Sequence, residues 1–224
     1  MSPQNITSSG VSLPRSQPPA ISANFLSRKH LFNLFESSVP GATLVIAPAG
    51  FGKTTLVAEW VKENARPTFW YTVDVADTIH DFQAHVIAAV TSHFPNFFAN
   101  IDQLEHFEPA ESIKLLAGAI GRLSGEFNFV IDGGREENQD IAPYAQIIAD
   151  LVPDNSHLII IRRNSPMTSL ARYAALGNLS VITSAELKFS EDEMKSIAGI
   201  NGVDLSENGN AKELAMCEGW PSAV

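Results

Sequence analysis

The sequence predicts a three-layer α/β domain: a mainly parallel five-stranded sheet with helices on both faces, followed by a small helical part. Three observations carry that expectation. Short apolar runs without polar alternation recur along the chain, as strands buried on both faces require. Longer segments with apolar residues at helical spacing lie between them, and this alternation favours parallel pairing through right-handed crossovers. Near Phe189 the alternation stops and only helical patterns remain.

Residues 1–23 are rich in Ser, Pro, Gln and Asn and lack apolar periodicity. Such a segment buries too little surface to offset its ordering entropy, so a flexible tail is expected, with structure beginning near Asn24. Arg28 to Ser37 spaces Leu31, Phe32, Leu34 and Phe35 as a short helix. Thr43 to Ala47 reads as the first strand, after Pro40-Gly41. Thr54 to Asn64 follows as a helix with Leu56, Val57, Trp60 and Val61 on one face. Phe69 to Val73 is the second strand. Phe82, Val86, Ile87, Val90 and Phe94 mark a longer helix closed by Pro95, and Ile113 to Leu123 another. The third strand, Phe127 to Ile131, ends at Asp132. A helix from Tyr144 to Val152 stops at Pro153. Leu158 to Ile161 and Leu179 to Ile182 supply the last two strands.

Beyond them, Ser190-Glu191-Asp192-Glu193 is a capping box opening a helix through Ile197, with Gly199 as its stop. A last helix, Asn210 to Glu218, is expected to end at Gly219, with Pro221 just beyond. The expected division is a tail over 1–23, a nucleotide-binding domain over 24–185 and the start of a truncated helical subdomain over 186–224.

Bulk properties narrow the function. A net charge of −10 without clustered Lys and Arg argues against direct nucleic-acid binding, which needs phosphate neutralisation. The single cysteine, Cys217, cannot form an internal disulfide and fits a reducing compartment. No apolar run approaches the roughly 18 residues of a membrane span. The N-terminus lacks a charged-then-apolar export pattern, so a cytoplasmic location with no membrane partner is expected.

The most informative string is Ala47-Pro48-Ala49-Gly50-Phe51-Gly52-Lys53-Thr54-Thr55. It matches the P-loop, with Ala47 at the usual first glycine. Glycines let backbone N–H groups turn inward toward phosphates, and the following helix N-terminus adds partial positive charge. Lys53 would reach the β- and γ-phosphates, and the Thr54 hydroxyl would ligate Mg²⁺. Asp132, at the end of an apolar strand, is the expected second metal residue, acting through the ion's water shell. Active ATPases often place another acid beside it to orient water. Here Gly133-Gly134 follow, and Glu136 or Glu137 would reach the site only if the loop folded back, so slow or absent hydrolysis is expected. Arg162-Arg163 end the next strand. An arginine there can stabilise γ-phosphate charge, and Arg163 is the stronger candidate of the two.

Other chemistry lacks support. His80 and His85, five apart, lie about 140° apart around a helix, and no histidine shows metal-ligand spacing. No Gly-x-Ser-x-Gly or Cys-His arrangement is present. The Phe94 to Phe98 stretch reads as core or a helix end, since no basic residues interleave it.

The succession APAGFGKTTLVAEW, FWYTVDVADTIHDFQAHVIAAV, FVIDGG, LIIIRRNSP, LKFSEDE and EGWP resembles the MalT-like large ATP-binding regulators. These are LuxR-type transcription factors of the STAND class of signal-transduction ATPases. The resemblance runs from about Phe25 to the C-terminus. It implies an ATP/ADP-binding domain with a helical extension, which in the family precede sensor repeats and a C-terminal helix-turn-helix. It also implies an ADP-bound resting state, with inducer and ATP driving self-association and promoter binding. Lys53 and Thr54 match the family's phosphate and Mg²⁺ residues, Asp132 its first Walker B acid, and Arg163 its arginine after the fourth strand. Pro221 falls where related proteins set a proline near the bound base. The family usually pairs aspartates where this chain has Asp132-Gly133, and its members continue well past the point that matches Val224. By that route DNA would be reached only through a helix-turn-helix absent from this chain.

The leading expectation is therefore a nucleotide-dependent switch, at most a weak ATPase. The alternative is a P-loop kinase or ATPase acting on a small metabolite, although no Arg-rich lid segment is present. A degenerate interaction module would not need the intact Lys53 and Thr54.

Overall fold

The parallel sheet is built from strands whose two sides are both apolar, so each strand must be covered twice. Gly41–Ile46 (β1), Thr68–Thr72 (β2), Asn128–Asp132 (β3), His157–Arg162 (β4) and Leu179–Thr183 (β5) form it in the order β2-β3-β4-β1-β5. All four pairings are parallel. The computed structural model describes residues 13–37, 41–95, 97, 107–123, 125–133, 142–164, 170–203 and 216–223.

Alternation along the strands sorts side chains into two cores. Phe69, Tyr71, Phe129, Ile131, Leu158 and Ile160 face one side, where Ile79–His93 (α3), Pro109–Ile120 (α4), Ala142–Leu151 (α5) and Ala171–Ala175 (α6) pack. Trp70, Val130, Ile159, Ile161 and Val45 face the other, against Asn33–Glu36 (α1) and Lys53–Asn64 (α2). Ser184–Leu187 (α7) and Glu191–Ile200 (α8) follow β5.

Several expectations change. The tail is not free throughout: Leu13–Ser16 form a 3-10 turn docked on β2 and α3. Arg15 donates to the Thr72 carbonyl at 3.1 and 2.9 Å and pairs with Asp77, and the Ser16 hydroxyl meets His85 Nδ1 at 2.8 Å. Polar bonds from Arg15 and Ser16 hold this segment, and hydrophobic periodicity does not register such bonds. The helix expected over Arg28 to Ser37 divides into a 3-10 turn, Lys29–Leu31, and the single-turn α1.

The Ser190 capping box forms as its residue types demand: Ser190 accepts from the Glu193 N–H and Glu193 from the Ser190 N–H. Yet Gly199 lies inside α8. The stop is Gly202, with φ +76°, where Val203 N–H reaches the Ala198 carbonyl at 2.8 Å. A second capping box, Thr183 with Glu186, opens α7 immediately after β5. Most of the helix expected over Asn210 to Glu218, and Gly134, Glu136 and Glu137, lie outside the described residues.

Candidate functional site

β1 delivers the chain to a loop that must reverse tightly before α2, and its two inner glycines permit this. Gly50 and Gly52 have φ of +80° and +71°, the left-handed region that side chains disfavour. Ala47 keeps a negative φ, and its N–H extends the β1–β4 ladder to the Arg162 carbonyl at 3.2 Å. An alanine therefore fits the first loop position without strain. No side chain caps α2, so the amides of its first turn face the loop's concavity, the arrangement that suits an anion.

Lys53 is 8% exposed and donates to the Ala47 and Pro48 carbonyls, both at 2.7 Å. These bonds hold its ammonium across the mouth of its own loop. Burial pulls its pKa below the ordinary lysine value and the Arg163 charge adds to this, while Asp132 opposes both. Thr54 Oγ1 donates to Asp132 Oδ2 at 2.9 Å, across 78 residues of sequence. This pair offers hard oxygens of the kind Mg²⁺ accepts, as a partial shell that phosphate and water would complete. Among the described residues, no group of three or more His, Cys, Asp or Glu could hold a metal.

These groups line a cavity of about 350 Å³ with Ala49, Gly50, Gly52, Thr55, Ile161, Arg162, Arg163 and Ser222. Strand order explains the arginines. β4 lies between β1 and β3, so its end emerges between the loop and Asp132. Arg162 is 3% exposed, whereas Arg163 is half-buried.

A second, more apolar cavity of about 200 Å³ adjoins the first through Gly52 and Thr55. Phe25, Leu26, Phe51, Leu56, Phe189, Ile197 and Pro221 line it. A polar cavity and a more apolar one thus lie side by side, with Gly52 and Thr55 in the walls of both. Glu59 of α2 fixes the N-terminal wall, accepting from Ser27 Oγ at 2.5 Å and Arg28 N at 3.2 Å. Arg28 then bridges to the helical part. It donates to Glu193 at 2.7 Å, to the Leu187 carbonyl at 2.9 Å and to the Lys188 carbonyl at 3.1 Å. Its guanidinium also stacks 4.9 Å from the Phe189 ring centroid.

The Gly-Trp-Pro segment reaches back to the loop. Phe189 N–H donates to the Gly219 carbonyl at 2.8 Å, Trp220 Nε1 to the Ala49 carbonyl at 3.0 Å and Ser222 Oγ to the Gly50 carbonyl at 2.9 Å.

No protein-family model matches the chain. In sequence it is 25% identical over 189 residues to the HTH-type transcriptional regulator MalT of Yersinia pestis (strain Pestoides F), covering 81% of this chain. The MalT of Serratia proteamaculans (strain 568) is 26% identical over the same length and coverage. The backbone matches a Signal Transduction ATPase with Numerous Domains (STAND) protein with a tetratricopeptide repeat sensor from Pyrococcus horikoshii. That likeness has a TM-score of 0.61 at 16% identity, over 92% of this chain and 30% of the other. The chain is thus similar in sequence to MalT regulators, and its α/β fold matches that of a STAND ATPase. It spans about a fifth of the length of the curated relatives it matches.

All nine loop residues, Asp132 and both arginines gather at the C-terminal ends of β1, β3 and β4, and Pro221 stands at the apolar end. Sequence reasoning missed Arg28, Trp220 and Ser222. An arginine just before a short apolar helix was the available signal for Arg28. Trp220 entered the reading only within the EGWP string and Ser222 not at all, and their partners lie 171 and 172 residues away. No described helix is long and apolar enough to cross a membrane.

Proposed function

We propose that this chain is an ATP- and ADP-binding switch domain of the kind carried by MalT-like regulators, with slow or absent hydrolysis. The observation that carries the reading is the convergence of Lys53, Thr54 and Asp132 in one cavity, with the Thr54 and Asp132 oxygens 2.9 Å apart. Loop amides and Lys53 take the phosphates, Thr54 and Asp132 take Mg²⁺, and the cavity lined by Phe51 and Pro221 takes the base. Bound Mg²⁺ would supply charge neutralisation between the phosphates.

The switch part of the proposal rests on the clamp. Trp220 and Ser222 bond the carbonyls of the same loop whose amides would hold phosphate. A change in the loop on exchange of ADP for ATP is therefore transmitted to the segment that follows α8. Self-association in the ATP state belongs to this proposal. So does transcription control, by analogy with the relatives named HTH-type regulators. With a net charge of −10, this chain would not itself grip DNA.

The test is isothermal titration of ADP and ATP with Mg²⁺ into the wild-type chain and Lys53→Ala, with phosphate release followed in parallel. Binding weakened by Lys53→Ala, with negligible release, supports the proposal. Rapid turnover replaces the switch with an enzyme, and absence of binding removes the nucleotide reading.

A further inference from the structure

A third cavity, of about 650 Å³, is larger than either of the two at the phosphate loop and shares no lining residue with them. Thr68, the first residue of β2, stands in its wall, whereas the phosphate loop follows the last residue of β1. The strands are parallel, so the two sites lie at opposite ends of the sheet. Residues 16–21 form one wall, and α2 supplies Ala58, Val61 and Lys62 to another. The first wall is pinned at both ends. Ser16 is held by His85 at 2.8 Å, and Ile21 packs against the core beneath α2. Between these anchors Gln17 to Ala20 are exposed, and Pro18 and Pro19 fix their own φ angles. A span stiffened in this way does not collapse into the space below it, so the cavity is preformed.

Its chemistry is two-sided. Ala58 and Val61 are buried and give an apolar floor, and Lys62 and Arg66 bring positive charge. No acidic residue lines it among the described residues, although the chain carries 25 acidic side chains against 15 basic ones. Lys62 lies in the last turn of α2, where one cation offsets the helix's partial negative charge. Arg66 stands beyond the helix end and adds a second. Glu126 takes one edge of Arg66 at 2.9 Å from outside the cavity, while Lys62 forms no ion pair among the described residues. One positive charge is therefore left over beside an apolar floor.

We propose that this cavity binds a small organic carboxylate with an apolar body, its charge at Lys62 and Arg66 and its body between Ile21 and α2. The volume falls within the range of small-molecule sites. Two cations, one of them already paired with Glu126, match a single negative charge better than the two of a phosphate. The exposed charges select the ligand but contribute little affinity in water, so burial of the apolar body must supply most of it. The site is separate from the nucleotide site and does not depend on it.

The test is isothermal titration of three probes into the wild-type chain: naphthalene-2-carboxylate, its neutral carboxamide of the same shape, and inorganic phosphate. The carboxylate should bind, the carboxamide about tenfold more weakly, and phosphate, which has no apolar body, not measurably. Lys62→Gln should weaken the carboxylate about threefold, and Lys62→Gln with Arg66→Gln about tenfold, both leaving the carboxamide unchanged. Ala20→Asp, which sets a negative charge in the opposite wall, should weaken the carboxylate about threefold as well. Lys62 and Ala20 are exposed, so both single variants should unfold at the wild-type midpoint. The inference falls if the wild type does not bind the carboxylate, or binds the carboxamide or phosphate equally well. It falls too if the variants bind the carboxylate as tightly as the wild type, since the ligand then sits elsewhere. Titration with ADP is untouched by any of these results, so the two readings fail separately.

Discussion

The two ends of the candidate site are built by different means. The phosphate end is one contiguous loop, Ala47 to Thr55, closed by residues at the ends of two strands of a buried parallel sheet. The apolar end is assembled from four separate stretches: Phe25 and Leu26, Phe51 and Leu56, Phe189 and Ile197, and Pro221. The first is rigid because the strands behind it are hydrogen-bonded on both sides. The second is only as rigid as the docking of the N-terminal segment and α8. Under the proposed switch, the assembled end is where movement would cost least. Arg28 and the Trp220–Ser222 clamp are the links by which such movement would be felt.

The largest expected effect comes from breaking the assembled end. Arg28→Ala removes a buried guanidinium from Glu193 and two carbonyls, and should destabilise the chain by about 3 kcal/mol in urea unfolding. A change within experimental error would mean that α8 docks without it. Breaking the contiguous end should leave the fold intact and act on binding instead. Lys53→Ala is expected to weaken ATP about a hundredfold, or about 2.7 kcal/mol by titration. A variant that bound as tightly as wild type would remove Lys53 from the phosphate site.

A third effect separates sheet stability from the site altogether. His157 begins β4, at the opposite end from Arg162, with Nε2 2.8 Å from Thr43 Oγ1 and its ring edge-on to Trp60. Burial, with a smaller contribution from Arg66, pushes its pKa from 6.5 down to about 3. Between those values the unfolded chain takes up a proton that the folded chain refuses. This contribution to stability is complete above about pH 6.5 and is lost progressively as pH falls toward 3. By pH 5 the loss should be about 2 kcal/mol, measured as the difference in pH dependence between wild type and His157→Gln. Identical pH profiles would show that His157 is not held neutral.

The smallest effect concerns the clamp. Trp220→Phe keeps an aromatic ring but removes the Nε1 bond to the Ala49 carbonyl, at a cost of about 1 kcal/mol. Limited proteolysis after Gly219 should quicken in that variant. Unchanged cleavage would leave the clamp without a mechanical role.

Much of this contrast was legible in the sequence, and the reason is locality. A P-loop is a run of residues whose roles follow from their order, so Lys53 and Thr54 could be singled out without coordinates. Asp132 followed because an apolar strand ending in an acid is also a local pattern. The parallel sheet was legible because its strands are apolar on both sides, and the two cores now show why: Phe129 and Ile131 serve one face, Val130 the other. The docked turn at Leu13–Ser16 was hidden because Arg15 and Ser16 are held by polar partners 57 to 69 residues distant.

By itself, then, the sequence determined the strand and helix periods, the phosphate loop and the likeness to MalT-like regulators. All of these depend on residues near one another along the chain. Only the tertiary structure decided the strand order. Once β4 lies between β1 and β3, its end brings both arginines to the cavity that holds the phosphate loop and Asp132. Periodicity cannot supply that order, because it records which faces of a strand are apolar and not which strand lies beside it.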